Sequence, residues 1–300
     1  MKVPVLYWTS GFSPAELAAE RQLSRRVLLV TAAAGLLFGL LFLAWPELDI
    51  ALARRLFADG DFALRGSDTW SALRRFNMIG YGVFYGIVVL GLAGAIYHRG
   101  RFWRLAPVKW LYLLATSLIG PLLVTNMILK DNVGRPRPRT ISEFGGEFDF
   151  KRLFESGGQC TDNCSFVSGE VSSMVMLVVS LFFVLPKWRK PLAIALLPAW
   201  FYAAYMRVGQ GGHFPSDTFF AGIFMIAIAA ILYRYIVLAN EGSVDARLRS
   251  AAEASAQVAA DPASPFRSAG WKRFVEVHDA VMARICRAGL RLLDRIAPRQ

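Results

Sequence analysis

The chain has 300 residues, of which 55% are hydrophobic and 19% are charged, and its mean hydropathy is +0.40. This composition excludes an ordinary soluble domain, which is less apolar and carries more charge. In a soluble protein the net charge of +12 would suggest a nucleic-acid partner. Here the basic residues collect between apolar runs, so membrane topology explains the charge and no nucleic-acid partner is expected.

Six apolar runs divide the chain. The hydrocarbon core of a bilayer needs about 20 helical residues to cross, and most of the runs approach that length. The fifth run is the shortest and contains Pro198. The sequence therefore predicts an all-α polytopic membrane protein with six transmembrane helices. In chain order the runs are Val27–Trp45, Met78–Tyr97, Trp110–Leu129, Val167–Leu185, Leu192–Met206 and Thr218–Leu238.

The distribution of lysine and arginine predicts the topology of these helices. Basic residues precede the first run, lie between the second and third and between the fourth and fifth, and follow the sixth. By the positive-inside rule these segments are cytoplasmic, as are both termini. The connections 46–77, 130–166 and 207–217 then face the periplasm of a bacterial inner membrane. The first of them departs from the rule, because it contains five arginines that nearby aspartates offset.

Composition predicts four segments along the chain. Residues 1–26 form a cytoplasmic amphipathic segment, and residues 27–238 form the six-helix membrane domain. Residues 239–270 are rich in alanine and serine and form a cytoplasmic linker. Residues 271–300 form a basic amphipathic helix that suits an anionic leaflet, with packing on the core or on a partner helix as the alternative.

A first polar cluster follows the third run and contains four cations, Lys130, Arg135, Arg137 and Arg139, within ten residues. The intervening prolines restrict the backbone and so fix where the guanidinium groups point. Arginine forks match phosphate oxygens and lysine adds a point charge, so the cluster is a candidate phosphate site. The alternative is a basic patch beside the membrane that binds lipid headgroups.

Two cysteines, Cys160 and Cys164, lie together in the second outer connection. In an oxidising compartment this spacing permits a local disulfide bond. It would also suit a metal site, but no second pair of ligands follows, and no carboxylate cluster resembles a magnesium site. We therefore expect no metal.

A second cluster opens the fourth run. The pair Ser168 and Gly169 would offer a hydroxyl and unpaired backbone N–H groups at the start of a helix, which together make an anion site. The alternative is that Ser168 only caps the helix, with Glu170 favourably placed in the first turn.

A third cluster lies between the fifth and sixth runs. His213 and Asp217 are four residues apart at the mouth of a span, and Arg207 and three glycines precede them. This spacing would let the carboxylate hold one ring nitrogen while the other faces the site.

Together the three clusters resemble the signature of the type-2 phosphatidic-acid-phosphatase (PAP2) superfamily. The family pattern is Lys-x6-Arg-Pro, then Pro-Ser-Gly-His, then Ser-Arg-x5-His-x3-Asp. The order and intervals agree, and the resemblance covers about residues 27–238. The matching residues are Lys130, Arg137, Pro138, Ser168, Gly169, Arg207, His213 and Asp217.

Three positions depart from the family pattern. Val167 replaces the proline, Met206 replaces the serine, and Glu170 replaces the histidine that assists the leaving group. The variant second element, after a loop with paired cysteines, looks most like the subgroup of lipid A phosphatases.

The resemblance implies a metal-independent lipid phosphatase without a cofactor, acting at the periplasmic face through a phosphohistidine. In this scheme His213 is the nucleophile, Asp217 supports its ring, and Glu170 is the general acid. Phosphate would be held by Lys130, Arg137, Ser168, Gly169 and Arg207, and Arg135 and Arg139 are candidates to bind a second phosphate.

Lipid A or a related phosphorylated glycolipid is the favoured substrate. The alternatives are a phosphatase for undecaprenyl pyrophosphate or phosphatidylglycerol phosphate, and a lipid phosphotransferase. A protein that binds or transports lipid without catalysis is the alternative of a different class. The sequence leaves the oligomeric state open.

Overall fold

The computed structural model describes residues 12–98, 100–155 and 159–238. They divide into two compact units. The larger contains residues 12–88 and 111–238, and the smaller contains residues 89–110 apart from residue 99. The predicted linker 239–270, the predicted basic helix 271–300 and the first eleven residues of the predicted N-terminal segment lie outside the described residues.

Helices account for most of the described chain, which confirms the predicted all-α class. Two antiparallel strands of two residues each and short 3₁₀ turns lie in the connections between helices. The elements are α1 (Pro14–Ala44), α2 (Glu47–Arg54), β1 (Phe57–Ala58), β2 (Asp61–Phe62), α3 (Asp68–Tyr97), α4 (Pro107–Ser117, continued as a π-helix over Leu118–Leu129), α5 (Lys130–Val133), α6 (Gly169–Val184), α7 (Arg189–Gly209) and α8 (Pro215–Leu232, continued as a π-helix over Tyr233–Leu238).

Five of the described helices are long and apolar enough to cross a membrane: Pro14–Ala44, Asp68–Tyr97, Pro107–Leu129, Pro186–Gly209 and Pro215–Leu238. They correspond to five of the six predicted runs. The fourth run is represented by α6, which has only 16 residues. It is shorter than predicted because the backbone is still extended at Ser168, so the helix begins only at Gly169.

The first helix begins earlier than the apolar run does. A capping box starts it, in which the Glu16 N–H donates to Ser13 Oγ (3.3 Å) and the Ser13 N–H donates to Glu16 Oε2 (2.7 Å). Pro14 occupies the first helical turn, where its missing N–H costs nothing. Residues 14–26 and the first predicted span therefore form one helix, and the predicted boundary at residue 26 falls inside it.

At the centre of the larger unit lies α6, which packs against α7, α8 and the π-helical segment 118–129, while α1 packs against α8. Buried residues occur around most of its circumference, as expected of a helix surrounded by other helices. A hydroxyl pair, Thr125 and Ser172, joins it to the π-helical segment at 3.0 Å. Hydrogen bonds of this kind help to hold helices together in lipid.

The N-terminal end of α1 is fastened to α7 and α8. The Glu20 carboxylate accepts hydrogen bonds from Arg189 Nη1 (2.8 Å) and Nη2 (2.7 Å), and from the Tyr233 hydroxyl (3.0 Å). Because α7 begins and α8 ends here, their connection through His213 lies at the opposite end of the helices. The cluster therefore fixes one end of the helices while the other end carries the predicted site.

A small apolar cluster covers the connection between α7 and α8. Its buried members include Phe62, Phe144 and Phe214. The Leu64 N–H donates to the Gly209 carbonyl (2.9 Å), which pins the connection to the β1–β2 hairpin segment. At Gly211 the backbone φ is +62°, and a Cβ there would lie 2.4 Å from the Phe62 ring, so only glycine fits.

Candidate active site

The three polar clusters of the sequence converge on one cleft of about 390 Å³ in the larger unit. Each cluster contributes side chains, although the clusters are separated by up to about eighty residues of chain. The cleft is lined by predicted site residues Lys130, Arg137, Gly169, Glu170, Arg207 and His213, and by Arg74, Met78, Tyr81, Gly82, Tyr85, Asn126, Asn163 and Ser173.

His213 lies in the short connection between α7 and α8 and is almost fully buried. Its Nδ1 lies 2.6 Å from the carbonyl oxygen of Ser165. A carbonyl only accepts, so Nδ1 carries the proton and Nε2 keeps its lone pair. The ring is thus held in the tautomer that a nucleophilic or basic Nε2 requires.

Asp217 does not hold the ring, contrary to the prediction. Its Oδ2 accepts hydrogen bonds from Ser165 Oγ (2.5 Å) and from the Phe214 N–H (2.8 Å), and its Oδ1 accepts from Arg135 (2.5 Å). These donors occupy both carboxylate oxygens. Asp217 therefore acts on His213 indirectly, by fixing Ser165, whose carbonyl holds the imidazole.

The prediction that Arg135 binds a second phosphate is also wrong. Its side chain is fully buried, and its guanidinium donates to the Lys151 carbonyl (2.9 Å), to Ser216 Oγ (2.8 Å) and to the carboxylates of Asp49 (2.8 Å) and Asp217 (2.5 Å). No nitrogen of the guanidinium is left for a ligand. The sequence spacing could not reveal this, because Asp49 is 86 residues away.

Arg139, the other candidate for a second phosphate, is not among the residues that line the cleft. Its backbone N–H donates to the Gly211 carbonyl (3.2 Å), so it flanks the connection that carries His213. Contact of its side chain with a substrate stays a prediction.

The start of α6 has the features of an anion site. Ser168 precedes the helix, but its hydroxyl makes no capping hydrogen bond, and its buried Oγ has no partner among the residues that the structure describes. The Nε of Arg207 is likewise buried and unpartnered. At Gly169 a Cβ would lie 3.4 Å from Lys130 Nζ. The ammonium group thus approaches the helix N-terminus closely, where backbone N–H groups favour anions.

Glu170 lies among arginines. Its Oε1 is 2.8 Å from Arg74 Nε and 3.4 Å from Arg207 Nη1, and its buried Oε2 has no hydrogen-bond partner in the described part of the chain. The sequence predicted Glu170 as a general acid, and in the structure its carboxylate makes ion pairs with two arginines.

Sequence reasoning missed Arg74 and Asn163. Arg74 belongs to the arginines of the first outer connection that depart from the positive-inside rule, so this departure was the available signal. Asn163 lies within the five-residue loop closed by Cys160 and Cys164, whose sulfur atoms are bonded to each other in the structure. No pattern in the sequence distinguishes this asparagine from its neighbours.

The surroundings of His213 disfavour its protonated form. Burial is the largest cause, and the positive charges of Arg207, Arg137 and Lys130 add to it, which together hold the pKa of His213 well below its ordinary value of 6.5. The hydrogen bond to the Ser165 carbonyl opposes this shift but is the weakest of these effects. The imidazole is therefore neutral at neutral pH.

Comparisons with known proteins agree with the motif. Residues 109–241 match the PAP2 superfamily. A protein of Francisella tularensis subsp. novicida (strain U112) named lipid A 4′-phosphatase is 33% identical over 201 residues, which are 64% of this chain and 90% of that protein. Lipid A 4′-phosphatases of Rhizobium leguminosarum and Rhizobium etli are 38% and 37% identical over 119 residues, which are 40% of this chain and 51% and 46% of theirs. No solved structure matches.

The depressed pKa of His213 gives a testable titration. The unfolded chain takes up the histidine proton near pH 6.5 and the folded chain only at lower pH, so the ring should stay neutral through that interval. In an NMR titration of protein labelled at its three histidines, the signal that disappears in His213→Asn should titrate below pH 6.5. Lys130→Gln removes one of the positive charges and should move this titration to higher pH. A ring that titrates at or above 6.5 in the wild-type protein would contradict the assignment.

Proposed function

We propose that this chain, which belongs to the PAP2 superfamily and is a lipid phosphatase, removes a phosphate from lipid A or a related phosphorylated glycolipid through a phosphohistidine intermediate. The names of three relatives support the choice of lipid. The observation that carries the mechanism is a neutral His213 that lines the same cleft as Arg207, whose buried Nε has no partner among the described residues. A second such donor, Ser168 Oγ, belongs to the residue just before Gly169, which also lines the cleft.

The phosphate is bound before it reacts. Lys130, Arg137 and Arg207 neutralise its charge, and the Ser168 hydroxyl and the Gly169 N–H donate to its oxygens. Phosphoryl transfer depends mainly on positioning and on stabilising charge on the equatorial oxygens, so such a set of donors can supply most of the catalysis.

In the first step the lone pair of His213 Nε2 attacks phosphorus, the bond to the lipid oxygen breaks, and the leaving alkoxide takes a proton. The Ser165 carbonyl keeps the proton on Nδ1 and stabilises the positive charge that the ring acquires. In the second step water attacks phosphorus, the phosphorus–nitrogen bond breaks, and phosphate leaves while His213 regains its lone pair.

Glu170 is the candidate for the proton transfers. A protonated Glu170 would donate to the leaving alkoxide, and the resulting carboxylate would take a proton from the attacking water. Its ion pairs with Arg74 and Arg207 hold it in place in the absence of substrate. A bound phosphate competes with the Glu170 carboxylate for Arg207, so substrate weakens this ion pair.

The site faces the periplasm in this proposal. Its support is the excess of lysine and arginine in the other set of connections, which also puts both termini in the cytoplasm of a bacterial cell. A lipid substrate in the outer leaflet of the inner membrane would then reach the cleft directly.

Replacement of His213 tests the mechanism. His213→Ala should reduce phosphate release from lipid A by about a thousandfold or more and abolish an acid-labile phosphoenzyme, because the nucleophile is lost. Release by the wild-type protein should persist in a chelator. His98→Ala is the matched control and should be near normal. Near-normal release by His213→Ala would refute the phosphohistidine. Undecaprenyl pyrophosphate and phosphatidylglycerol phosphate, assayed in parallel, would identify another lipid if one reacts faster.

A reporter fusion tests the topology. A fusion after Glu155, in the connection between α5 and α6, should be active as alkaline phosphatase, which matures only in the periplasm. The same fusion with a reporter that works only in the cytoplasm should be inactive. The reverse pattern would place the cleft on the cytoplasmic side and refute a periplasmic site.

Two variants separate the roles of Glu170. Glu170→Gln keeps the shape but loses the proton, and should lower turnover of a sugar phosphate by about 100-fold. A pyrophosphate substrate should be less affected, because its leaving phosphate needs little protonation. Arg74→Gln is the matched control, because it breaks the ion pair between Arg74 and Glu170 but keeps the Glu170 carboxyl group. If both variants lower the rate equally, and equally for the sugar phosphate and the pyrophosphate, Glu170 only aligns arginines.

A further inference from the structure

The loop closed by the Cys160–Cys164 disulfide carries a residue that contacts two of the cations in the cleft. The loop has five residues, and the Cα atoms of its cysteines are 5.7 Å apart. Asn163 lies next to Cys164 and lines the cleft. Its φ is +48°, in the left-handed region that asparagine tolerates better than most residues with a side chain.

Asn163 accepts hydrogen bonds through both of its oxygens. Its carbonyl accepts from Arg137 Nε (2.9 Å) and Nη2 (2.6 Å), and its side-chain Oδ1 accepts from Arg137 Nη2 (2.7 Å) and from Lys130 Nζ (3.4 Å). Among the residues that the structure describes, Asn163 is the acceptor of every hydrogen bond from the Arg137 guanidinium. One edge of the arginine fork is thus fixed, and Nη1 is left for a ligand.

The chemistry of an asparagine suits this task. A carboxylate at this position would also hold Arg137 and Lys130, but it would neutralise one of them and repel a phosphate. The amide and the backbone carbonyl are neutral acceptors, so they bring two like charges together without reducing the positive charge of the cleft. The disulfide limits the conformations of the loop and so keeps both oxygens directed at the same cations.

We propose that Asn163 is a positioning residue, which holds Lys130 and Arg137 in their phosphate-binding orientation and is itself held by the Cys160–Cys164 disulfide. The proposal rests on the proposed function, because it takes these two cations to be phosphate ligands. It extends that function by assigning a role to a loop that contains none of the residues of the family signature.

Binding of orthovanadate, measured by calorimetry on the purified full-length protein in detergent, tests the proposal without the need for a lipid substrate. Asn163→Gly keeps the left-handed backbone and its carbonyl but loses Oδ1, and should weaken binding about tenfold, as the loss of charge-assisted hydrogen bonds predicts. Asn163→Ala also strains the backbone and should weaken binding further. Asn163→Asp should weaken it although it keeps both acceptors. Thr161→Ala, in the same loop, is the control and should bind normally.

A double-mutant cycle separates positioning from general stability. In an Arg137→Gln background, Asn163→Gly should weaken binding by clearly less than the tenfold seen in the wild-type background, because only Lys130 is left for Asn163 to position. Cys160→Ser with Cys164→Ser should weaken binding to the same extent as Asn163→Ala. Normal binding by Asn163→Gly, or a full additional loss in the Arg137→Gln background, would overturn the proposal. Failure of the wild-type protein to bind orthovanadate would overturn the phosphate site as well.

Discussion

The buried ion pairs of Arg135 are the constraint on which the rest of the site depends. The guanidinium joins Asp49 of α2 to Ser216 and Asp217 of α8, and it lies 4.4 Å above the centre of the Phe214 ring. Two carboxylates and a guanidinium can be buried together only if each charge keeps its partners. Removal of one partner from such a group typically costs about 3–5 kcal/mol. The connection that carries Arg135 is therefore held in one arrangement with α2 and α8.

The geometry of His213 depends on this network. Asp217, fixed by Arg135, accepts from Ser165 Oγ and so sets the position of the Ser165 backbone, whose carbonyl selects the tautomer of His213. The same aspartate accepts from the Phe214 N–H, next to His213 in the chain. A single carboxylate thus controls both the ring's hydrogen-bond acceptor and its backbone attachment. Contact with the ring itself is unnecessary for this control.

Much of the fold and many residues of the cleft could be predicted from the sequence. Apolar runs indicate membrane spans, and fixed intervals between polar residues identify the family signature. Lys130, Arg137, Gly169, Glu170, Arg207 and His213 all line one cleft. The directions of the side chains could not be predicted. Arg135 and Arg137 are two residues apart and each precedes a proline, yet one is buried with Asp49 and the other faces the cleft. Asp217 has the right spacing for His213, but Ser165, Phe214 and Arg135 donate hydrogen bonds to both of its oxygens. Which donors a carboxylate binds is decided by tertiary contacts.

The short length of α6 has a consequence for the backbone that precedes it. Its 16 residues rise about 24 Å, whereas the hydrocarbon core of a bilayer is about 30 Å thick. This helix alone is therefore too short to cross that core. The non-helical residues 165–168 that precede it are all buried by protein, which is the condition under which irregular backbone is tolerated at the depth of a membrane.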